Sequence, residues 1–203
     1  MKTIAIFGAG GHTKVIIDLI IELNQYIIVG IYDDNKEGSF EDIPIIGKID
    51  GNVNINYDEY IIGIGNDNIR KKIYEQFSNL RWAVLIHPRS IVSKHSLIDD
   101  GTVVFAGAVI QTGVNIGKQC IINTNCNIDH ESYIANFTSI CPGVTICGNV
   151  VIGELTFIGA NSTIIQGKII GEKCIVGAGT VVIRNVDDNS KIVGNPGRII
   201  PLL

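Results

Sequence analysis

Ile122-Asn123-Thr124-Asn125-Cys126-Asn127, Ile128-Asp129-His130-Glu131-Ser132-Tyr133, Ile134-Ala135-Asn136-Phe137-Thr138-Ser139 and Ile140-Cys141-Pro142-Gly143-Val144-Thr145 are consecutive six-residue units of one pattern. Each opens on isoleucine and sets a small side chain (Cys126, Ser132, Thr138, Val144) four residues later. The pattern runs outward in both directions without a slip, so that every sixth residue from Ile86 to Val182 is Ile or Val. The row of small side chains likewise runs from Ser90 to Val186, and only Lys168 breaks it. An amphipathic helix repeats every 3.6 residues and a half-buried strand every 2, so neither explains a strict six. A triangular coil does: each unit makes one short face, points its Ile or Val inward and turns a corner at the small residue. Three faces close a coil of about 18 residues, and stacked coils pair as parallel strands about 4.8 Å apart. The run predicts roughly six such coils, a parallel β-helix.

The residues before this repeat follow another grammar. Thr3–Phe7 is a strand-like run that meets Gly8-Ala9-Gly10-Gly11-His12, and Thr13–Leu23 follows with apolar residues at helical spacing. Ile27–Tyr32 closes on Asp33-Asp34, Tyr60–Ile64 closes on Gly65, and Asn66 or Asp67 can cap a helix over Asn68–Leu80. Trp82–Ile86 reads as one more strand. This alternation predicts a small parallel α/β sheet over residues 1–82, Rossmann-like, whose ligand sits beyond the carboxyl ends of the strands. The β-helix and a C-terminal tail then occupy 83–203.

Composition agrees. Of 203 residues, 46% are hydrophobic but only 18% charged, with 23 glycines; a charge deficit of that kind suits a repetitive β structure. A net charge of −4 argues against nucleic acid or an anionic membrane surface as a bulk partner. The amino-terminal run has no signal-peptide pattern and no apolar stretch approaches a membrane span, so a cytoplasmic location is expected. The five cysteines, Cys120, Cys126, Cys141, Cys147 and Cys174, are odd in number and their intervals are all multiples of three. They therefore follow the repeat rather than a disulfide or zinc frame, and Cys120, Cys126 and Cys174 fill corner positions as small apolar groups.

Two places carry candidate chemistry. His130 lies two residues after an inward Ile and two before an inward Ser132, which puts it on the outer surface between Asp129 and Glu131. By itself this reads equally as a solvated acidic turn or as a base whose ring the carboxylates orient. In the first region, Gly8, Gly10 and Gly11 permit a tight strand-to-helix turn with backbone N–H groups exposed at a helix start, either a structural turn or an anion site. A dinucleotide fingerprint would need a third glycine where Thr13 stands, which disfavours a dehydrogenase. His87 and His95 read as structural, and with His130 they are wrongly spaced for a carbonic-anhydrase zinc site, so no metal is expected.

Read together, Ile6-Phe7-Gly8-Ala9-Gly10-Gly11-His12, Tyr32-Asp33-Asp34, Ile64-Gly65-Asn66-Asp67-Asn68-Ile69-Arg70, Leu85-Ile86-His87-Pro88, Asn127-Ile128-Asp129-His130-Glu131 and Val193-Gly194-Asn195-Pro196-Gly197 span essentially the whole chain in order. The chain so resembles the left-handed β-helix sugar O- and N-acyltransferases of the sialic-acid and bacillosamine/perosamine pathways. The resemblance implies a cytoplasmic homotrimer serving polysaccharide biosynthesis. It would move an acetyl group from acetyl-CoA to the 4-amino group of a nucleotide-linked 4-amino-4,6-dideoxy sugar, UDP-linked by preference. It also implies His130 as catalytic base with Glu131 supporting it, and Gly10, Gly11, His12, Asp33, Asp34, Gly65 and Asn66 as the substrate-binding residues. Gly148, Ala160 and Ala178 would line the pantetheine groove. Where the family commonly has a second histidine at the thioester, this chain has Ser139. Lys168, Lys173, Arg184 and Arg198 are the candidate cations for CoA phosphates. The competing readings are O-acetylation of sialic acid or a related sugar, and a catalytically silent binding or scaffold protein.

Overall fold

The computed structural model describes residues 1–49 and 52–201. The chain divides into two compact units, Met1–Pro88 and Arg89–Leu203. In the first, β1 (Lys2–Phe7), α1 (Gly11–Leu23), β2 (Tyr26–Tyr32), β3 (Ser39–Phe40), β4 (Ile43–Gly47), β5 (Glu59–Ile62) and α2 (Asp67–Gln76) follow one another. Their sheet has the order β3-β4-β2-β1-β5, parallel except where β3 meets β4. Phe7 is the hub of its aromatic core, with ring centroids 5.3 Å from Phe77, 5.5 Å from Tyr32 and 5.6 Å from Trp82.

Three details depart from the sequence reading. The β3–β4 hairpin was not foreseen, because Glu41 and Asp42 make its turn at φ of 48° and 62°, without the Asn-Gly or Asp-Gly pair that usually announces such a turn. Helix α2 stops at Gln76; Phe77 and Leu80, both buried, turn instead into the aromatic core. Trp82–Ile86 is not one strand. Trp82 makes an isolated parallel bridge with Tyr60 at the sheet edge, and only Leu85–Ile86 is extended as a pair.

The second unit is a parallel β-helix. Each two-residue strand ends on one of the Ile or Val positions foreseen from the period of six. The first face stacks the strands at Ile91, Val109, Asn127, Thr145, Thr163 and Val181; the second those at Leu97, Asn115, Tyr133, Val151 and Ile169; the third those at Val103, Ile121, Ser139, Phe157 and Ile175. From Val104 to Val182 the inward aliphatics are at most 2% exposed.

The corners explain the small residues. Thr102 Oγ1, Ser132 Oγ, Thr138 Oγ1, Thr156 Oγ1 and Ser162 Oγ each donate to the carbonyl 15 residues ahead, at 2.7–3.1 Å. The thiols of Cys120, Cys126 and Cys174 act in the same ladder, reaching Ala135 O, Cys141 O and Asp187 O at 3.1 Å. Burial pushes the Cys126 thiol up to about 12 and raises that of Cys174, so these sulfurs are protonated donors, not nucleophiles. From Thr102 to Thr180, the residue before each small corner side chain adopts left-handed backbone, whether glycine (Gly107, Gly113, Gly143) or not (Glu131, Phe137, Leu155).

Two substitutions separate these roles. Ile146→Ala should cost about 2–5 kcal/mol, because the stacked column cannot collapse into the void. Cys126→Ser should stay within about 1 kcal/mol, since a hydroxyl keeps the corner donor. Urea unfolding midpoints of both variants check this; equal losses would mean the inward column and the corner ladder contribute alike.

Candidate active site

His130 stands at the corner between the first and second faces. Ser132 anchors that corner from inside, donating to Cys147 O at 3.1 Å and accepting from Val150 N at 3.2 Å. Glu131 takes the left-handed position at φ 60°, and its N–H donates to Thr112 O at 3.1 Å. Its carboxylate folds back over Gly113, where an added Cβ would meet Oε1 at 2.9 Å. The carboxylate facing His130 is that of Asp129: Oδ1 accepts the His130 N–H at 2.8 Å and Oδ2 lies 4.0 Å from Nε2. The His130 side chain is 51% exposed, and its ring lies on the α-carbon of Gly148, one coil on. Beside it, a groove of about 290 Å³ runs over the first face, lined by Gln111, Asn127, Asp129, Thr145 and Cys147.

The corners also determine which backbone amides are open. Asp99, Asn123 and Asp129 each accept the N–H of the following residue, at 2.8–2.9 Å. Gly148, Ala160 and Ala178 follow Cys147, Gly159 and Gly177, which offer no carboxylate or amide oxygen. Their N–H groups have no acceptor among the described residues, so each is free to bind a carbonyl.

The structure divides the expected acyl-donor residues between two edges of the first face. Gly148 shares the His130 edge. Ala160 and Ala178 stack on the other, after the third-face strands Phe157–Ile158 and Ile175–Val176. Ser139 lies in a third-face strand and is 4% exposed. Lys168 is half-buried rather than inward like the rest of its row, because its ammonium must stay hydrated while the alkyl stem covers the corner. It lies on the His130 edge, as does Arg184, three coils from the histidine. Arg184 and Arg198 line a cavity of about 470 Å³ with Ile183, Val186, Ile192 and Pro196. Lys173 takes a left-handed position, φ 53°, at the corner between the second and third faces.

In the first unit, Gly8 turns β1 toward α1 at φ 93°. An added Cβ there would meet the Ile64 side chain at 2.4 Å, whereas Gly10 and Gly11 face open space. Thr13, where a third glycine would complete the fingerprint, is fully buried with Oγ1 2.6 Å from Gly8 O and 3.0 Å from Gly63 O. It ties two strand ends together. Asp33 accepts from Ala9 N at 2.7 Å and from Asn35 N and Lys36 N at 2.9 and 3.0 Å, so its carboxylate organises the loops. Asp34 Oδ1 accepts from Ile49 N at 2.8 Å, and Asn66 caps α2 by accepting from Ile69 N at 3.0 Å. The buried Arg70 donates to Gly65 O and to Asp67 Oδ1, each at 2.8 Å.

Asp33 and Asp34 border a cavity of about 320 Å³ with Asn35, Ile49, Ile64, Ile69, Lys72 and Gln76. The sequence reading did not single out Lys72 or Gln76. Their spacing with Ile69 and Ile73, one helical stripe, was the available signal. Among the described residues, no cluster of His, Cys, Asp or Glu could hold a metal ion.

His12, next to Gly11, is held neutral: burial first and the Arg70 charge second lower its pKa from 6.5 to about 4. The unfolded chain then binds a proton that the folded chain refuses between those values, so His12 subtracts stability as pH falls from about 6.5 to about 4. Melting temperatures across that window should fall more steeply for the natural protein than for His12→Gln; parallel slopes would contradict it.

Comparison with known proteins identifies the family. Residues 3–77 match the PglD N-terminal domain, 131–166 the bacterial transferase hexapeptide (six repeats), and 149–184 the hexapeptide repeat of succinyl-transferase. The acetyltransferase domain of PglB from Neisseria gonorrhoeae FA1090, solved with acetyl coenzyme A, is 32% identical; 98% of this chain and 99% of that chain are covered, with a TM-score of 0.94. PerB from Caulobacter crescentus, solved with CoA and GDP-perosamine, is 27% identical over 99% and 98% of the two chains, with a TM-score of 0.92. The UDP-N-acetylbacillosamine N-acetyltransferase of Bacillus subtilis (strain 168) is 35% identical over 118 residues, 52% of each chain. The chain belongs to the family of acetyl-CoA-dependent sugar N-acetyltransferases that join a PglD N-terminal domain to a hexapeptide β-helix.

Proposed function

We propose that this protein transfers an acetyl group from acetyl-CoA to the 4-amino group of a UDP-linked 4-amino-4,6-dideoxy sugar, with His130 as general base. The observation that carries the reading is the His130 ring, half exposed, seated on Gly148 and next to Asp129, which lines the first-face groove. The amine nitrogen attacks the thioester carbonyl; the C–N bond forms, the C–S bond breaks and CoA leaves as thiolate. The imidazole removes the proton the nitrogen sheds and can return it to the departing sulfur. The open N–H of Gly148 is suited to the charge growing on the carbonyl oxygen, a role that Ser139 does not fill in this reading. Asp129, 4.0 Å from the ring, orients it; Glu131 supports the corner.

The nucleotide belongs to the first unit, where Gly10 and Gly11 open the α1 N-terminus to an anion and His12, Asp34, Gly65 and the cavity beside Lys72 receive the rest. Asp33 and Asn66 act on it through the loops they hold. The Bacillus subtilis relative, whose name specifies a UDP sugar, supports UDP, while PerB was solved with GDP-perosamine; the acceptor panel below decides between them. Lys168 and Arg184, on the edge that His130 shares, and Arg198 are assigned to CoA phosphates. Residues divided between two edges become one site if neighbouring copies abut, and the second face offers an apolar stripe of Tyr133, Val151 and Ile169, 39–53% exposed. We therefore assign a homotrimer, working in the cytoplasm with its cysteines reduced. No helix among the described residues is long and apolar enough to cross a membrane.

Released thiol should be followed with acetyl-CoA and UDP-, GDP- and dTDP-linked 4-amino sugars, with free sialic acid as the hydroxyl acceptor. The UDP amine should give the highest kcat/KM, and activity on sialic acid alone would overturn the reading. His130→Ala should lower kcat by about 10²–10⁴ with acetyl-CoA affinity unchanged, and Asp129→Asn should cost more than Glu131→Ala. Light scattering should give three times the 22.0 kDa chain mass; a fully active monomer would remove the shared site.

A further inference from the structure

From the contact between His130 and Gly148 we infer that Gly148 is a positioning residue: the missing side chain there is what sets the pose of the imidazole. The inference rests on His130 being the general base. An added Cβ at Gly148 would stand 2.5 Å from His130 Nε2, 2.6 Å from Cε1 and 3.1 Å from Cδ2. No real Cβ sits that close to a ring atom, so the imidazole lies in the space a side chain would fill. The intruded atoms are the end of a side chain with two rotatable bonds, and no backbone atom is among the three nearest. The coil can therefore accept an alanine, and the ring is what must move.

An independent observation comes from the turn itself. Gly148 is the second residue after an inward aliphatic. At the equivalent corner positions stand Asp100, Ala106, Thr112, Lys118, Thr124, His130, Asn136, Pro142, Glu154, Ala160, Gln166, Glu172 and Ala178, none of them glycine. The backbone needs left-handed geometry only one residue later, at Asn149, φ 57°. Gly148 itself is outside the set of positive-φ glycines. Nothing in the turn requires glycine at 148; the ring resting on it does. With the ring seated, Asp129 Oδ2 lies 4.0 Å from Nε2, and the imidazole stays beside the groove that Asp129 lines.

A double-mutant cycle tests this in the full-length protein, with kcat, both KM values and melting temperature measured for four proteins. Gly148→Ala should lower kcat about 10–100-fold, the scale for a misplaced catalytic group, with the KM of acetyl-CoA and the melting temperature unchanged. In the His130→Ala background the same substitution should change nothing further, because the group it displaces is gone. Were Gly148→Ala to impair catalysis equally in both backgrounds, or to act through the KM of acetyl-CoA, the glycine would serve the donor groove and the inference would fall while His130 kept its role. A fully active His130→Ala protein would remove both. Should Gly148→Ala fail to fold, the double variant decides: recovery of the fold on removing the ring supports the contact, and continued failure overturns it.

Discussion

Closure of the coil every 18 residues is the constraint on which the rest of the second unit depends. Each strand is two residues long, far too short to be stable alone, and exists only because identical strands lie one coil before and after it. Backbone N–H and C=O groups satisfied along that stack leave little freedom to slip: an insertion within a face would take its inward aliphatic out of register with the coils before and after. The same closure makes a column of residues 18 apart into one local environment. Thr112, His130, Gly148, Gln166 and Arg184 form such a column, and a choice at one level limits its neighbours. Gly148 is a residue whose reason for being glycine lies one coil away.

Corners are where this scaffold can do chemistry. Faces bury their inward side chains completely and spend their backbone polar groups on pairing, whereas a corner must leave some groups unpaired. The protein closes some of those gaps from within, through Ser, Thr and Cys on the inside and through Asp99, Asn123 and Asp129 on the outside. Where the preceding residue is Cys147, Gly159 or Gly177, the next amide stays open. A chain with few charges thus gains specific polar sites by omission, and the amides are held rigidly by coils that carry no long loops.

How much of this was legible in the sequence depended on whether the signal was periodic. The six-residue period, the inward column and the small corner row were all readable, since stacking repeats the same physical demand at every level. The position of His130 on the outer surface followed from its phase in the repeat. What the phase could not give was direction. Glu131 and Asp129 flank the histidine symmetrically in sequence, yet left-handed backbone at Glu131 swings its carboxylate back over Gly113 and leaves Asp129 to face the ring. In the first unit the signals were aperiodic and ambiguous. Asp33 and Asn66 end a strand and precede a helix, where a carboxylate or amide can meet a ligand or a backbone N–H with the same sequence pattern. The structure resolves the choice by distance: Ala9 N, Asn35 N and Lys36 N converge on Asp33 within 3.0 Å.

Thr13 illustrates the functional consequence of such tertiary choices. A third glycine at that position would let a helix approach a sheet closely around a dinucleotide pyrophosphate. Here the space is filled by a hydroxyl that bonds the ends of two strands, and Gly63 is glycine because an added Cβ would meet that hydroxyl at 2.2 Å. Glycine at 63 and threonine at 13 are therefore one feature, a fixed junction between β1 and β5. With the junction locked, the loops after β1 and β5 are held at a fixed spacing, and the Asp33-Asp34 loop borders a cavity of about 320 Å³ with Ile64 and the α2 stripe of Ile69, Lys72, Ile73 and Gln76. That volume is at the small end of ligand sites and suits part of a mononucleotide better than a dinucleotide.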